Sequence, residues 1–147
     1  MLKRCATIDN KIHKIYMKLR IETKEKIQAE YDVWQAEQYA GKDKKERQKL
    51  GQFFTPPVLT IKMIEKFDSV KDKDILDPTV GAGGLLAACI LAGADPKRCY
   101  GIELDPDVLE IARKRLGKLG VPSSNLILGN ALDPESYEKL GRSTSEV

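Results

Sequence analysis

The stretch ILDPTVGAGG, residues 75–84, decides the fold of this chain. It reads as a short apolar strand ending at Asp77, followed by a glycine-rich turn (residues 78–84, the glycine loop) and then by the apolar run 85–91, which we expect to be a helix ending at Gly93. Glycine is needed where a chain reverses sharply or approaches a ligand without a Cβ atom. A glycine-rich turn from a parallel strand into a helix N-terminus places a ligand beside free backbone N–H groups.

The residues after this stretch continue the alternation of strand and helix. Residues 99–104, CYGIEL, predict a second strand. Asp105 and Pro106 predict the N-cap and first residue of a helix whose apolar positions follow a 3.6-residue period up to Gly120. Residues 125–128 predict a third strand. The order predicts an α/β fold, a βαβαβ parallel sheet with right-handed crossovers that forms one half of a doubly wound sheet.

The residues before the glycine loop predict helices. Thr55 and Pro56 are expected to be the N-cap and first residue of a helix that runs to about Phe67. Apolar residues recur at helical spacing from Ile8 to Trp34, which predicts either one long amphipathic helix or a helix pair with a break near Thr23. Gly41 is expected to end this segment. Residues 42–49 are nearly all charged and predict an exposed connector or a helical turn.

The balance of charged residues also differs between the N-terminal helical segment and the rest of the chain. Residues 1–50 hold 13 basic and 8 acidic side chains, whereas residues 51–147 hold 12 and 14. The basic part faces either nucleic acid or an acidic partner, or it is a solvated helix face, as mixed Lys and Glu more often indicate. We expect a basic helical segment over residues 1–50 and an α/β domain over residues 51–147. A long helix cannot bury its whole stripe on so small a domain, so residues 8–40 are expected to bind a protein partner or a second copy.

Composition excludes several classes of protein. A chain of 147 residues allows one ordinary domain. The single histidine, His13, and three widely spaced cysteines argue against a metal site. No apolar run of about 18 residues and no signal-type segment occurs, and the cysteine count is odd. We therefore expect no membrane contact, no disulfide framework and a cytoplasmic location.

The glycine loop does not follow the two best-known nucleotide motifs. The dinucleotide pattern requires a glycine where this chain has Leu86, and no Gly-Lys-Ser/Thr follows as in a P-loop. Instead, acids end two strands: Asp77 before the loop and Glu103 at the end of the second strand. A carboxylate at Glu103 can accept hydrogen bonds from ribose hydroxyls, and Asp77 suits an ammonium group better than a pyrophosphate. S-adenosylmethionine contains both a ribose and an ammonium.

Four motifs carry a resemblance to a known family. In order, GQFFTPP (51–57), ILDPTVGAGG (75–84), GIELDP (101–106) and GNAL (129–132) resemble the cofactor motifs of N6-adenine DNA methyltransferases, especially those of type I and type II restriction-modification systems. The match covers a little over half of the chain. The resemblance implies a Rossmann-like methyltransferase fold, S-adenosylmethionine as cofactor and DNA as the substrate of the complete enzyme.

The resemblance also implies roles for individual residues. Thr55 would hold the methionine carboxylate, Asp77 and the glycine loop the amino acid end, and Glu103 the ribose. Asn130 stands where the family usually has Asp and would accept a hydrogen bond from the adenine amino group through its amide oxygen. Ile102 would be one apolar wall of the adenine slot. The candidate cofactor-binding residues are Phe54, Thr55, Pro56, Asp77, Pro78, Gly81, Gly83, Glu103, Leu104, Asn130 and Ala131.

The family's catalytic tetrad, Asn/Asp/Ser-Pro-Pro-aromatic, does not occur in these 147 residues. The pair Pro56-Pro57 belongs to the first motif and is followed by Val58, and residues 134–147 are polar. We therefore assign no catalytic residue and expect the chain to be truncated before the tetrad and to lack turnover alone. Three readings stay open: the cofactor-binding part of an adenine methyltransferase, which we favour; a non-catalytic S-adenosylmethionine-binding or regulatory subunit; or a methyltransferase-like protein for another substrate.

Overall fold

A parallel three-stranded sheet forms the centre of the molecule. Its strands are β1 (Ile75–Asp77), β2 (Cys99–Glu103) and β3 (Leu126–Leu128), in the spatial order β1-β2-β3. The structure, a computed structural model, describes residues 2–51, 54–67 and 69–141, with the backbone alone for residues 2–19, 50 and 51. Asp77 lies opposite Gly101, and Glu103 opposite Leu128. The carboxyl ends of the three strands therefore lie along one edge of the sheet.

Six α-helices accompany the sheet in the described part of the chain. They are α1 (Leu2–Tyr39), α2 (Lys44–Gly51), α3 (Pro57–Ile64), α4 (Gly84–Leu91), α5 (Pro106–Lys118) and α6 (Pro134–Lys139). Short 3₁₀ turns precede β2 and β3. The predicted βαβαβ order, preceded by an N-terminal helix, is confirmed. None of the helices in these ranges combines the length and apolar character needed to cross a bilayer.

Local signals place most of the helix ends where the sequence predicts them. Asp105 caps α5, since its Oδ1 accepts hydrogen bonds from the N–H groups of Asp107 (2.8 Å) and Val108 (3.2 Å). Gly93 and Gly120 follow α4 and α5 with φ angles of 110° and 95°, in the left-handed region that favours glycine. These glycines allow the chain to leave each helix and return to the sheet.

The start of α3 differs from the prediction. The helix begins at Pro57 with Pro56 as the N-cap residue, and it ends at Ile64 rather than near Phe67. Pro56 has extended backbone angles (φ −63°, ψ 145°) because a residue before a proline is sterically excluded from the helical region. The helix therefore starts one residue later than expected, and Thr55 is not its cap.

Helix α1 is continuous, so the helix pair with a break near Thr23 is wrong. Its 38 residues span about 57 Å, and Gly41, with φ of 71°, follows its end. Ile27 and Trp34 are both 4% exposed, and α1 packs against α3 and α4. The predicted apolar stripe is thus buried over its second half, whereas the side chains of its first half lie outside the described residues.

The core lies between the sheet and helices α4 and α5. Leu86 of α4 and Leu116 of α5 are fully buried, together with Leu126 of β3. Arg113 of α5 donates from Nη2 to the Leu126 carbonyl oxygen at 2.9 Å. This packing holds the two helices that follow the glycine loop and Glu103 firmly against the strands, so the carboxyl edge of the sheet has a rigid support.

Candidate functional site

The glycine loop crosses over the carboxyl end of β2. The N–H of Val80 donates to the carbonyl oxygen of Ile102 at 2.9 Å. Gly101 makes this crossing possible, because a Cβ atom at this position would lie 2.8 Å from the Cβ of Val80. The loop that follows β1 is therefore brought directly to Glu103, the last residue of β2.

Glu103 is joined to three backbone N–H groups. Its Oε2 accepts from Gly81 at 2.9 Å, and its Oε1 accepts from Leu104 at 2.9 Å and Asp105 at 3.0 Å. The carboxylate thus connects the glycine loop to the turn after β2. A carboxylate has about four acceptor positions, so three of them are used within the chain.

Asp77 lies at the same edge and is buried. Its Oδ1 accepts from the N–H of Thr79 at 3.1 Å. Burial raises the pKa of this carboxyl above its ordinary value of 3.8, and the nearby charge of Glu103 raises it further, against the opposing effect of the Thr79 hydrogen bond. Because both effects disfavour the ionised form, the pair of acids would be stabilised by a positive group between them.

The glycines of the loop have separate functions. Gly81 and Gly83 have φ angles of 53° and 81°, which few other residues adopt. A Cβ atom on Gly83 would also lie 2.8 Å from Cγ of Leu116, so this glycine allows close packing on α5. A Cβ atom on Gly84 would meet Thr55 only at an ordinary contact distance of 3.5 Å.

The segment before α3 touches the loop from the other side. Thr55 is half-buried next to Gly84, at the start of α4, where the first N–H groups of a helix have no partner within it. Phe54 is 8% exposed and packs against Trp34 and Tyr39 of α1, with ring centroids 4.4 Å and 5.6 Å away. Phe54 is therefore part of an aromatic cluster with α1.

The remaining candidate residues lie along the turns that leave the strands. Pro78 is exposed directly after Asp77. Leu104 is 70% exposed, whereas Ile102 is fully buried and can offer little surface to a ligand. Asn130 is exposed, and its Oδ1 accepts from the N–H of Leu132 at 2.9 Å.

Sequence reasoning gave no role to two residues that shape this edge. Tyr137 of α6 donates its hydroxyl to the carbonyl oxygen of Ala131 at 2.8 Å, which holds α6 against the turn after β3. Arg115 of α5 is 4% exposed, and its Nη1 donates to the carbonyl oxygen of Ala82 in the glycine loop at 3.3 Å. The sequence offered one signal for Arg115, which is its position on the apolar face of α5. A charged side chain that is buried there needs a partner.

The candidate site therefore joins two carboxylates, a loop of backbone N–H groups and a helix N-terminus at one edge of the sheet. Such a set can bind a ligand that carries both an anionic and a cationic end and a diol. The described residues contain no group of three or more side chains of the kinds that hold a metal ion. A separate groove of about 290 Å³ between α1 and α3 includes Thr23, Ile27 and Ile64 and shares no residue with the candidate site.

Part of the chain is similar in sequence to known methyltransferases. The chain resembles the type II methyltransferase M.CvrRI of Paramecium bursaria Chlorella virus XZ-6E, at 36% identity over 70 residues (48% of this chain, 18% of the relative). It also resembles the type II methyltransferase M.VspI of Vibrio sp. (strain 343), at 32% identity over 82 residues (54% and 20%). A third relative is the ribosomal RNA small subunit methyltransferase H of Protochlamydia amoebophila (strain UWE25), at 41% identity over 61 residues (42% and 19%).

The matched region covers about a fifth of the length of each of these relatives. No solved structure matches the chain significantly. Residues 30–117, more than half of the chain, match the profile of the N-6 DNA Methylase family, and they include α3, the glycine loop, β2 and nearly all of α5. The chain therefore belongs to the N-6 DNA methylase family, a family of methyltransferases that generally use S-adenosylmethionine.

Proposed function

We propose that this chain is the S-adenosylmethionine-binding part of an adenine-specific DNA methyltransferase. The observation that carries the proposal is the meeting of Asp77, Glu103 and the glycine loop at one edge of the sheet, in a chain of the N-6 DNA methylase family. The domain division is part of the proposal: residues 51–147 form the cofactor-binding α/β domain, and residues 1–50 form a basic helical segment.

The chemistry of the donors and acceptors fits this cofactor. Thr55 and the free N–H groups at the start of α4 suit the methionine carboxylate, with Pro56 beside them. The carboxylate of Asp77 suits the ammonium, whose charge would offset the cost of burying this acid. When bound, the cofactor supplies a methyl group on a sulfonium ion, and these residues orient its amino acid end.

Glu103 suits the ribose, but it must exchange a hydrogen bond to hold both hydroxyls. Three of its four acceptor positions are used by Gly81, Leu104 and Asp105, so one is open.

The turns after β2 and β3 suit the adenine ring. Leu104 supplies an exposed apolar side chain, and Ala131 is half-buried in the neighbouring turn. Asn130 is the proposed acceptor for the amino group, and its amide oxygen would exchange the bond from Leu132 to take this role. Leu128 and Leu132, 46% and 91% exposed, are further apolar side chains at the end of β3 and in the turn after it.

Isothermal titration calorimetry tests the cofactor assignment. We expect S-adenosylmethionine to bind and NAD not to bind. Glu103→Ala should weaken binding about tenfold to a hundredfold, since hydrogen bonds to a charged acceptor contribute about 1.5 to 3 kcal/mol. Glu110→Ala is the matched control, because it removes the same charge from an exposed position of α5. Tight NAD binding, or unchanged binding of S-adenosylmethionine to a folded Glu103→Ala protein, would contradict the assignment.

Methyl transfer is expected to require residues outside these 147. The proposal rests on the absence of the Asn/Asp/Ser-Pro-Pro-aromatic tetrad from the printed sequence. With labelled cofactor and adenine-containing DNA, the chain alone should transfer no methyl group, whereas a form of the protein that supplies the tetrad should do so. Transfer by the chain alone would refute this part of the proposal.

A second substrate class has one specific observation in its favour. The 41% identity to a ribosomal RNA small subunit methyltransferase is higher than the 36% and 32% identities to the two type II methyltransferases, although it covers fewer residues. Methylation of RNA is therefore the alternative. Competition between DNA and RNA of the same sequence for the protein distinguishes the two: preferential retention of RNA would favour the alternative.

We further propose that α1 binds a protein partner or a second copy through residues 8–40. The support is its length, together with two exposed apolar side chains, Ile21 (53%) and Val33 (63%). Sedimentation velocity should show an associated species that is lost in the double variant Ile21→Ser/Val33→Ser. A monomer at all concentrations, with no partner recovered from the native source, would contradict this.

A further inference from the structure

Arg115 connects three segments that are distant in sequence. Its guanidinium makes a two-point contact with Glu30 of α1, from Nε to Oε1 at 2.9 Å and from Nη2 to Oε2 at 2.7 Å. Its third nitrogen, Nη1, donates to the carbonyl oxygen of Ala82 at 3.3 Å. Since Arg115 is fixed on α5, one side chain holds both α1 and the glycine loop.

The contact with α1 is largely shielded from solvent. The side chains of Arg115 and Glu30 are 3% and 18% exposed. The guanidinium carbon also lies 3.9 Å from the ring centroid of Trp34, one turn further along α1, in cation–π geometry. A bidentate and stacked arginine has little freedom to move independently of its partners, so a shift of α1 must displace Arg115 or break the pair.

The glycine loop also packs against α1 through the side chain of Ala82. Ala82 is 2% exposed and packs in one cluster with Trp34 and Phe54. Ala82 lies between Gly81 and Gly83, the two residues with positive φ. The Ala82 carbonyl held by Arg115 lies two peptide units after the N–H of Gly81 that bonds to Glu103, so this contact restrains the loop next to that bond.

We propose that Arg115 is a positioning residue that couples the placement of α1 to the glycine loop and thereby to cofactor affinity. This inference rests on the proposed function, because the affinity in question is that for S-adenosylmethionine. A partner or substrate that moves α1 would change how tightly the loop holds the cofactor, and by linkage the cofactor would change the affinity of α1 for that partner.

The chain offers a matched control for this coupling. Lys118 and Glu37 also join α5 to α1, at 2.7 Å, but their side chains are 63% and 47% exposed, and among the described residues this pair makes no hydrogen bond to the glycine loop. Two effects can therefore be separated by comparing variants. Lys118→Met changes the general docking of the two helices, whereas Glu30→Gln and Arg115→Lys change the contact that reaches Ala82. Ile27→Val is a further control, because it loosens the buried face of α1 away from Arg115.

The test combines calorimetry with amide spectra of the cofactor-free protein. In folded Glu30→Gln, S-adenosylmethionine should bind about fivefold or more weakly, the range of typical coupling between sites. The ¹H–¹⁵N signals of Gly81, Ala82 and Gly83 should shift as well. Arg115→Lys should restore part of the affinity lost in Arg115→Met, because lysine keeps the charge but not the two-point contact. Lys118→Met and Ile27→Val should leave both the affinity and the loop signals close to wild type.

The outcomes separate the inference from the proposed function. If wild type binds S-adenosylmethionine and a folded Glu30→Gln protein binds it equally well with unchanged loop signals, the inference is overturned and the proposed function stands. If wild type does not bind it, the proposed function and the coupling to cofactor affinity both fail. If Ile27→Val weakens binding as much as Glu30→Gln does, the effect belongs to α1 docking in general, and the role given to Arg115 is wrong.

Discussion

Glu103 Oε2 accepts a hydrogen bond from the N–H of Gly81 at 2.9 Å, which ties the end of the second strand to the loop that follows the first. The two residues are 22 positions apart and meet because the loop crosses over β2 at Gly101. An acid that sequence reasoning assigns to a ligand is thus also a structural residue in the protein without that ligand. Under the proposed function, a substitution of Glu103 is expected to change stability and cofactor binding together.

Glu103→Gln should lower the free energy of unfolding by about 1 to 3 kcal/mol. The glutamine amide offers one oxygen where the carboxylate offers two, so at least one of the three backbone N–H groups faces an NH₂ donor instead of an acceptor. Urea denaturation followed by circular dichroism measures the change. Glu110→Gln, at an exposed position of α5, should have almost no effect.

Asp77→Asn should stabilise the cofactor-free protein at neutral pH. The pKa of Asp77 is raised by burial first, so the native state binds a proton more readily than the unfolded state does. Wild-type stability therefore falls, relative to Asp77→Asn, as the pH rises from the ordinary value of 3.8 through the raised pKa. Below 3.8 both states of the wild type are protonated at this position, and the difference should close.

Urea titrations of both proteins at a series of pH values measure this difference. Glu110→Gln serves as the control for the general effect of removing one negative charge. A constant difference between wild type and Asp77→Asn across the series would show that ionisation of Asp77 is not its cause. The same variant should bind S-adenosylmethionine more weakly at neutral pH, because it cannot carry the negative charge proposed for the ammonium.

Gly83→Ala should destabilise the protein by about 1 to 3 kcal/mol, whereas Gly84→Ala should not. At Gly83 a Cβ atom meets both an unfavourable φ of 81° and the side chain of Leu116 at 2.8 Å. At Gly84 it meets Thr55 at 3.5 Å, and alanine is the better residue in a helix. Thermal unfolding of the two variants side by side checks this. Equal losses would show that the packing on Leu116 is not the cause.

Ile27→Ala should cost about 2 to 5 kcal/mol, the usual range for removing a buried aliphatic side chain. Val33→Ala on the same helix should change stability by less than about 0.5 kcal/mol, since Val33 is 63% exposed. Trp34 is the sole tryptophan of the chain and is buried, so its fluorescence reports directly on α1. A small effect of Ile27→Ala would mean that α1 is not docked on α3 and α4 in solution.

The parts of the fold that could be predicted are those that depend on short stretches of sequence. The cap at Asp105 needs only its own carboxylate and the next three residues, and the stops at Gly93 and Gly120 need only a residue that tolerates positive φ. The strand and helix periodicities likewise repeat within a few residues. For these reasons the βαβαβ order could be predicted from the sequence. The continuity of α1 through Thr23 could not, because one long helix and a pair of helices place the same residues on the buried face.

Some residues of the candidate site could likewise be predicted from the sequence, and others could not. Residues at strand ends, such as Asp77 and Glu103, could be predicted because parallel strands bring their carboxyl ends to one edge. The role of Phe54 could not be predicted, because its burial depends on Trp34 and Tyr39 of a helix that the motifs do not include. The place of Thr55 beside Gly84 is also a matter of how α3 meets α4.

By itself, the sequence determined the order of the elements, the glycine loop and the two acids at the strand ends, since each follows from local geometry and from which side chains avoid water. Only the tertiary structure decided what these groups touch. The bonds from Gly81 to Glu103 and from Arg115 to both Glu30 and Ala82 span 22, 85 and 33 positions. Contacts of this range form only when the whole core is packed, so no local pattern encodes them.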